Sequence, residues 1–402
     1  MEQNSNTPKV LSGNELDYSE VKYLLPDEVF SEQAIRFLST LSSELIRHPE
    51  ARNYPDVTTF AFFCRKAHLY ELKKRYINQE NRIGRGVAFH IAPSNVPVNF
   101  AYSLVVGILS GNVNIVRVPS KDFPQVDIIC DVVKTLLQTD TGSFFSNRIY
   151  LLQYNRESNL TATLSSICDI RIIWGGDATI AEIRKSPIPA RAYDVTFADR
   201  YSFAAINAQS YLNEENKDKI ASDFYNDTYL FDQNACTSPH LIVWLGDVKT
   251  INAAKELFWD KLYQLLDKKQ YKTPDIVAVN KLTSMYLSSV NNRFIKKDSI
   301  DNKLWRMDYT LLPDDIDEYQ CPGGYFSEYS AGALDEIRSI VNRRYQTMAY
   351  FGFEKPELLC FIKDNRFHGI DRITPIGKTT DFDLIWDGYD LVSSLSRIYT
   401  IT

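Results

Sequence analysis

The spacing of apolar positions changes period several times along the chain. A polar opening to about Leu25 reads as a loose peripheral arm. Behind Ser31, a residue type suited to capping, Ala34, Ile35, Leu38, Leu41, Leu45 and Ile46 recur at helical spacing. A second helix is expected over 56–78, with Phe60, Phe63, Cys64, Ala67 and Leu72 on one side. It ends in Lys73-Lys-Arg75, where cations suit the carboxyl end of the helix dipole. Beyond residue 86, short β-type runs alternate with helices. Strands are expected over 87–91, 113–118, 148–153 and 170–174, and helices over 99–110, 124–138, 157–167 and from 177 to 184. Such alternation implies parallel strands in a layered α/β sheet. Ligands of these sheets collect beyond the carboxyl ends of the strands, here the loops 92–98, 119–122 and 175–177.

Further along, strands are expected over 201–206 and 241–245, and helices over 213–227, 251–267 and 276–289. A short strand over 328–331, a helix over 330–344 and a mixture of strands and loops over 358–402 complete the pattern. The implied domains are 1–206, an N-terminal arm with a cofactor-binding domain; 207–355, carrying the nucleophile; and 356–402, a C-terminal segment returning to the core. With 402 residues and 44% hydrophobic composition, the chain can bury a sizeable core. A net charge of -6 without a dense Lys/Arg block argues against nucleic-acid binding. The stretch 86–116 carries no Asp, Glu, Lys or Arg, but its prolines and asparagines mark it as buried core, not an integral membrane segment. The amino-terminal residues lack a signal pattern. Six scattered Cys, without C-x-x-C pairs or His at metal spacing, fit free thiols in a reducing cytoplasm and no bound metal.

Candidate chemistry centres on Phe231-Asp-Gln-Asn-Ala-Cys-Thr-Ser-Pro-His240. Pro239 stops any helix there, so Cys236 lies on a helix-to-strand turn. A thiol so placed is either a nucleophile facing a cleft or a small buried hydrophobe. His240, four residues on, either helps form the thiolate or is a strand-edge residue, and His90 reads as core. In Ala92-Pro-Ser-Asn-Val-Pro-Val98, Asn95 can donate to a developing oxyanion or simply close an Asx turn. Gly175-Gly176, between a strand and a helix, let backbone amides approach a pyrophosphate, although any tight βα turn uses glycine. Arg117-Val-Pro-Ser-Lys121 puts two cations at a strand end. At a ribose site they favour a 2′-phosphate and hence NADPH; otherwise this is a solvated strand end. Gly84-Arg-Gly86 precedes its strand and fails as a dinucleotide fingerprint. Neither a Gly-x-Ser-x-Gly elbow nor a Walker loop is present.

These pieces resemble the aldehyde dehydrogenase superfamily, and most closely its LuxC-type acyl reductase branch, which makes the fatty aldehyde of bacterial bioluminescence. The resemblance is carried by 92–103, 110–120, Asn234-Ala-Cys-Thr-Ser-Pro239, Asp371-Arg-Ile-Thr-Pro-Ile-Gly377 and 382–391. It implies a Rossmann-type cofactor domain, an α/β catalytic domain and a small oligomerisation strand within 396–402. It makes Cys236 the acyl-accepting nucleophile and Asn95 the oxyanion-hole amide, working with the Cys236 N–H. Ala92, Pro93, Ser94, Arg117, Pro119, Ser120, Lys121, Gly175 and Gly176 then surround the cofactor. Hydrolytic aldehyde dehydrogenases carry a water-activating Glu in a Glu-Leu-Gly-Gly segment. The comparable Thr196-Phe-Ala-Asp-Arg-Tyr201 has none, with Asp199 the only substitute, and Glu328 matches a second family Glu near the nicotinamide. The implied activity is NADPH-dependent reduction of a long-chain acyl thioester, from acyl-CoA or an acyl-protein donor, to an aldehyde through an acyl-cysteine. An acyl-protein synthetase partner and a homo-oligomer are implied as well. Two rival readings are an NAD-dependent aldehyde dehydrogenase forming acid, and an inactive scaffold subunit.

Overall fold

The computed structural model describes residues 8–76, 81–93, 96–291, 294–299 and 301–401. Contacts divide the chain into two units. One runs to Ala198 and resumes at Phe382; the other is Asp199–Asp381. The divisions fall at 198/199 and 381/382, where the sequence reading put them at 206/207 and 355/356.

In the first unit the strands before Ala198 are β1 (Lys9–Ser12), β2 (Arg82–Gly84), β3 (Val87–Ile91), β4 (Val113–Arg117), β5 (Ile149–Gln153), β6 (Ile170–Trp174) and β7 (Tyr193–Phe197). Six form one sheet in the order β1-β5-β4-β3-β6-β7, parallel except for β1 at its edge. β3 and β6 are buried throughout, as expected of near-continuous apolar runs covered on both faces by helices. From β3 the chain winds outward through β4 and β5, then crosses back to β6. The reversal between β3 and β6 is the switch point at which such sheets bind ligands.

A buried polar chain fixes this switch point. Trp174 Nε1–H donates to Ser103 Oγ (3.1 Å), and Asn114 Nδ2–H donates to the Asn112 carbonyl (2.8 Å). Asn114 Oδ1 is therefore an acceptor, and His90 Nε2 must carry the proton shared with it at 3.1 Å. His90 Nδ1 then accepts from Ser103 Oγ at 2.7 Å. Burial holds the imidazole pKa at about 4, so this tautomer is neutral at pH 7. The helix Asn99–Leu109 lies close against the strands here because residue 107 is glycine; an added Cβ would fall 1.8 Å from Asn114 Oδ1.

Three expectations for this unit change. The arm before Leu25 is ordered: β1 pairs with β5, and a short helix, Tyr18–Val21, buries Val21. The helix expected over 56–78 is two, Pro55–Phe63 and Lys66–Lys74, broken where Arg65 turns extended; residues 77–80 lie outside the described ones. Strand β7 was not anticipated. Its Asp194 pairs with the buried Arg171 at 2.8 Å, and that inward charge breaks the apolar alternation. The segment from Phe382 joins this unit, with Leu384, Trp386, Leu391, Val392 and Leu395 in its core. Asn112 Nδ2–H donates to the Leu395 carbonyl (2.8 Å), and Ser396–Ile398 pairs antiparallel with β2.

In the second unit the strands are β8 (Tyr201–Asn207), β9 (Pro239–Leu245), β10 (Phe294–Ser299), β11 (Trp305–Tyr309), β12 (Tyr325–Ala331), β13 (Tyr345–Phe351) and β14 (Arg372–Pro375). Their order is β10-β11-β12-β9-β8-β13-β14, parallel except for the β10–β11 pair. The expected helix over 330–344 is instead the end of β12 and a short 3-10 stretch, Leu334–Ser339. A helix, Lys355–Asn365, replaces the strands and loops expected after 358. Among the described residues, no helix is long and apolar enough to cross a membrane.

Replacing Gly107 by Ala should overpack the contact between the 99–109 helix and β3–β4. It should lower stability by about 1–3 kcal/mol in denaturant titrations.

Candidate active site

Cys236 lies on a turn whose ends are both fixed. The helix Lys217–Thr228 passes into a short 3-10 stretch, Tyr229–Phe231, and the next two residues take left-handed backbone, with φ of 50° at Asp232 and 61° at Gln233. This double reversal, uncommon for residues other than glycine, swings the chain toward β9. Ser238 N–H donates to the Ala235 carbonyl (2.9 Å), closing a turn with Cys236 at its second position. The Ala235 carbonyl therefore points into the turn, and the trans peptide aims the Cys236 N–H the opposite way. Ser202 Oγ donates to the Cys236 carbonyl (2.7 Å) and accepts from Thr347 N–H (3.2 Å), tying the turn to β8 and β13. Of the six free cysteines, only Cys236 and Cys360 are exposed.

Gln233 holds the base of the turn. Its amide is buried and makes four bonds to backbone. Nε2 donates to the Pro239 and Tyr325 carbonyls (3.0 and 3.1 Å), and Oε1 accepts from Gly324 and Tyr325 N–H (2.9 and 3.1 Å). The β9–β12 ladder begins at Ser327↔Leu241, and continuing that register would pair Phe326 with His240 and then Tyr325 with Pro239. The side-chain amide stands between them, in place of a peptide group. Sequence spacing gave no sign of this, nor of Ser202. Both act through main-chain partners distant in sequence.

Asp227 fastens the neighbouring 371–379 segment. Its carboxylate oxygens accept from Gly377 N–H (2.6 Å) and Thr379 N–H (3.0 Å), and Ser238 Oγ donates to its carbonyl (2.7 Å). Burial raises the carboxyl pKa to about 6, against the lowering effect of those backbone donors. His240 is the extra residue of a bulge between Ser202↔Pro239 and Phe203↔Leu241. It is buried, with its ring 6.0 Å from that of Tyr201, and burial lowers its pKa to about 4. Neutral at pH 7, it offers the thiol no positive charge. Glu328 is enclosed within the second unit. Its Oε2 accepts from Trp244 and Trp259 Nε1–H (2.8 and 2.9 Å) and its Oε1 from Arg306 Nε–H (2.6 Å). These bonds give it a packing role in place of the expected cofactor contact. Asp199 is exposed.

In the first unit, ladder bonds run past the strand ends: Ala92 N–H to Arg117 O (3.1 Å), Val118 N–H to Leu152 O (2.9 Å) and Gly175 N–H to Phe197 O (3.1 Å). They align Ala92-Pro93, Arg117–Pro119 and Gly175-Gly176 along the carboxyl edge, on either side of the switch point. Gly176 caps the helix Asp177–Arg184 without a side chain, leaving backbone close approach open. Trp174 and Phe197 stack beneath it, centroids 3.6 Å apart. Arg117 is partly buried, its guanidinium 4.8 Å over the Tyr154 ring and bonded to the Tyr154 carbonyl (3.4 Å). Ser120 and Lys121 are exposed, and Gln153 Nε2–H holds the Pro119 carbonyl (3.0 Å). Ser94 and Asn95 lie outside the described residues. The carboxyl-edge rule thus suits the first unit, whereas Cys236 sits at the amino edge of the second sheet, beside the first residues of β8, β9, β12 and β13.

A family model described as "Acyl-CoA reductase (LuxC)" matches residues 61–399. Long-chain acyl-protein thioester reductase 2 of Photobacterium leiognathi is 24% identical over 221 residues, 51% of this chain and 43% of the relative. The long-chain acyl-protein thioester reductase of Vibrio harveyi is 27% identical over 201 residues, 46% of this chain and 40% of the relative. Each match therefore spans less than half of the relative's length. Among solved structures, aldehyde dehydrogenase 21 of Physcomitrella patens superposes with a TM-score of 0.65 at 9% identity, covering 92% of this chain and 85% of that one. Glyceraldehyde-3-phosphate dehydrogenase GapN of Methanocaldococcus jannaschii, complexed with NADP, gives 0.62 at 14% identity, covering 96% and 91%. The fold is that of the aldehyde dehydrogenases.

Asp227 makes a pH prediction. Its folded-state pKa lies above the unfolded value of 3.8, so the folded protein binds more protons between pH 4 and 6, and stability falls as pH rises through that window. The 2-unit rise to about 6 corresponds to about 3 kcal/mol. The stability difference between wild type and Asp227→Asn should shrink accordingly from pH 4 to pH 6 in denaturant titrations.

Proposed function

The chain belongs to the acyl-CoA reductase (LuxC) family, and from that premise we propose that it reduces an acyl thioester to an aldehyde with NADPH through an acyl-Cys236 intermediate. The observation that carries this reading is the Cys236 turn: an exposed thiol whose flanking carbonyls are fixed by Ser238 N–H and Ser202 Oγ. The Cys236 thiolate attacks the carbonyl carbon of an acyl-CoA or acyl-protein donor. A C–S bond to Cys236 forms as the donor's C–S bond breaks, and the donor leaves as its thiolate. Asn95 and the Cys236 N–H receive the oxyanion.

The carboxyl edge of the first sheet suits a dinucleotide. Gly175-Gly176 admit backbone close to a pyrophosphate, and Ala92 and Pro93 lie across the switch point, with Ser94 proposed to join them at the cofactor. Arg117, Pro119, Ser120 and Lys121 form the ribose end. When bound, NADPH supplies the hydride that reduces the acyl carbon. The resulting Cys236 thiohemiacetal expels the thiolate as its hydroxyl proton departs, releasing the aldehyde and restoring Cys236. The 196–201 segment carries no Glu to activate water, which favours reduction over hydrolysis. A long-chain fatty acyl group, a cytoplasmic location, an acyl-protein synthetase partner and self-association complete the proposal.

Incubation with acyl-CoAs should add one acyl mass, mapped to Cys236 and erased on adding NADPH as aldehyde appears. Cys236→Ala should take up no acyl group yet bind NADPH normally. Label retained on the Ala variant would overturn the assignment. Lys121 is exposed, whereas Arg117 is engaged by Tyr154. Lys121→Glu should therefore weaken NADPH binding about tenfold while leaving NADH nearly unchanged, as read by fluorescence titration.

A further inference from the structure

Lys281, on the helix Asp275–Asn291, is fully buried. Its ammonium donates to the carbonyls of Asn302 and Gly323, each at 2.6 Å, and lies 6.0 Å from the Trp305 ring. Burying an ammonium against carbonyl oxygens is a poor route to stability, since an apolar side chain of similar volume would avoid the loss of hydration. Burial accordingly lowers its pKa to about 8. A lysine retained under that penalty calls for a reason other than packing.

The reason lies in what Gly323 holds. Gly323 and Gly324 both take left-handed backbone, with φ of 77° and 88°. Neither position admits a side chain. A Cβ on Gly323 would lie 2.9 Å from Val277 Cγ1, and one on Gly324 would lie 2.1 Å from the Lys303 carbonyl. On its other side the same pair grips the approach to Cys236. Gly323 N–H donates to the Asp232 carbonyl (2.9 Å), and Gly324 N–H donates to Gln233 Oε1 (2.9 Å). Tyr271 Oη adds a bond to Asp232 Oδ1 (2.7 Å). An unbroken series of bonds thus runs from Lys281 through the glycine pair to Asp232 and Gln233, the two left-handed residues that launch the turn.

We infer that Lys281 is a positioning residue for the Cys236 turn, acting through Gly323 to fix the left-handed pair Asp232-Gln233. The role rests on reading Cys236 as the nucleophile, but its test does not require acyl chemistry. Cys360 is exposed in the same unit and serves as an internal reference, while Cys64, Cys130, Cys168 and Cys321 are buried and report unfolding.

The experiment is iodoacetamide alkylation of the whole protein across pH, with each cysteine quantified by peptide mass spectrometry, in wild type and Lys281→Met. A loosened turn no longer holds Cys236 in one arrangement. The Cys236-to-Cys360 rate ratio should fall at least about fivefold, and its pH profile should change shape. The buried cysteines should stay protected. An unchanged ratio and profile in a folded variant would overturn the inference. So would a fall accompanied by alkylation of all four buried cysteines, which marks general destabilisation. If Lys281→Met does not fold, Lys281→Gln carries the same two outcomes, because its amide is one bond shorter and cannot reach both carbonyls. Wild-type Cys236 that takes no acyl group would sink the nucleophile reading while leaving this measurement intact.

Discussion

One side-chain amide, that of Gln233, bears most of the geometry around Cys236. Two parallel strands, β9 and β12, stop pairing two residues short of Pro239 and Tyr325, and the amide takes the place of the missing peptide group. A buried amide with all its bonds made is rigid, and leaving any of the four backbone partners unsatisfied would cost about 1–3 kcal/mol apiece. The turn between Gln233 and Pro239 is therefore pinned at its base and steadied at its crown by Ser202. Glutamate would set a carboxylate against two carbonyls, and leucine would satisfy nothing. The requirement is for donor and acceptor on one short planar group.

The first unit solves a similar problem with a different device. There the carboxyl ends of β3 and β6 must stay open at the switch point while the helix after β3 lies flush against the sheet. The Trp174–Ser103–His90–Asn114 chain, with each hydrogen assigned by its neighbour, holds that helix from beneath. In both units the exposed edge is held by polar groups that are themselves wholly buried. Apolar contacts alone would tolerate the small slides between elements that such edges cannot.

The parallel sheet of the first unit was legible because β3, β4 and β6 are short apolar runs, each followed by a turn and a helix. The Cys236 turn was legible too, since a proline after a thiol stops the helix. Strand β7 was not, because Arg171 and Asp194 neutralise each other only once folded, and locally the aspartate reads as solvent-facing. The segment 330–344 carries Leu334, Ile337, Ile340 and Val341 at helical spacing, yet only a 3-10 stretch forms before β13 claims the chain. Tertiary pairing overrode local preference there. Gln233, Ser202, Asp227 and Lys281 escaped notice for a common reason. Each acts on backbone groups far away in sequence, and no spacing rule records a bond to a main-chain carbonyl about 40 residues away or from a main-chain N–H 150 residues away.

The return of the 382–402 segment to the first unit bears on how the protein is made. Asp199–Asp381 is one uninterrupted stretch, whereas its companion lacks Leu384, Trp386, Leu391 and Leu395 until that segment has been synthesised. Domains fold as their residues leave the ribosome, so the unit carrying Cys236 can reach its final shape first. The six-stranded sheet, begun earlier, waits with part of its core uncovered. A chain stopped before Phe382 would leave that part of the core open.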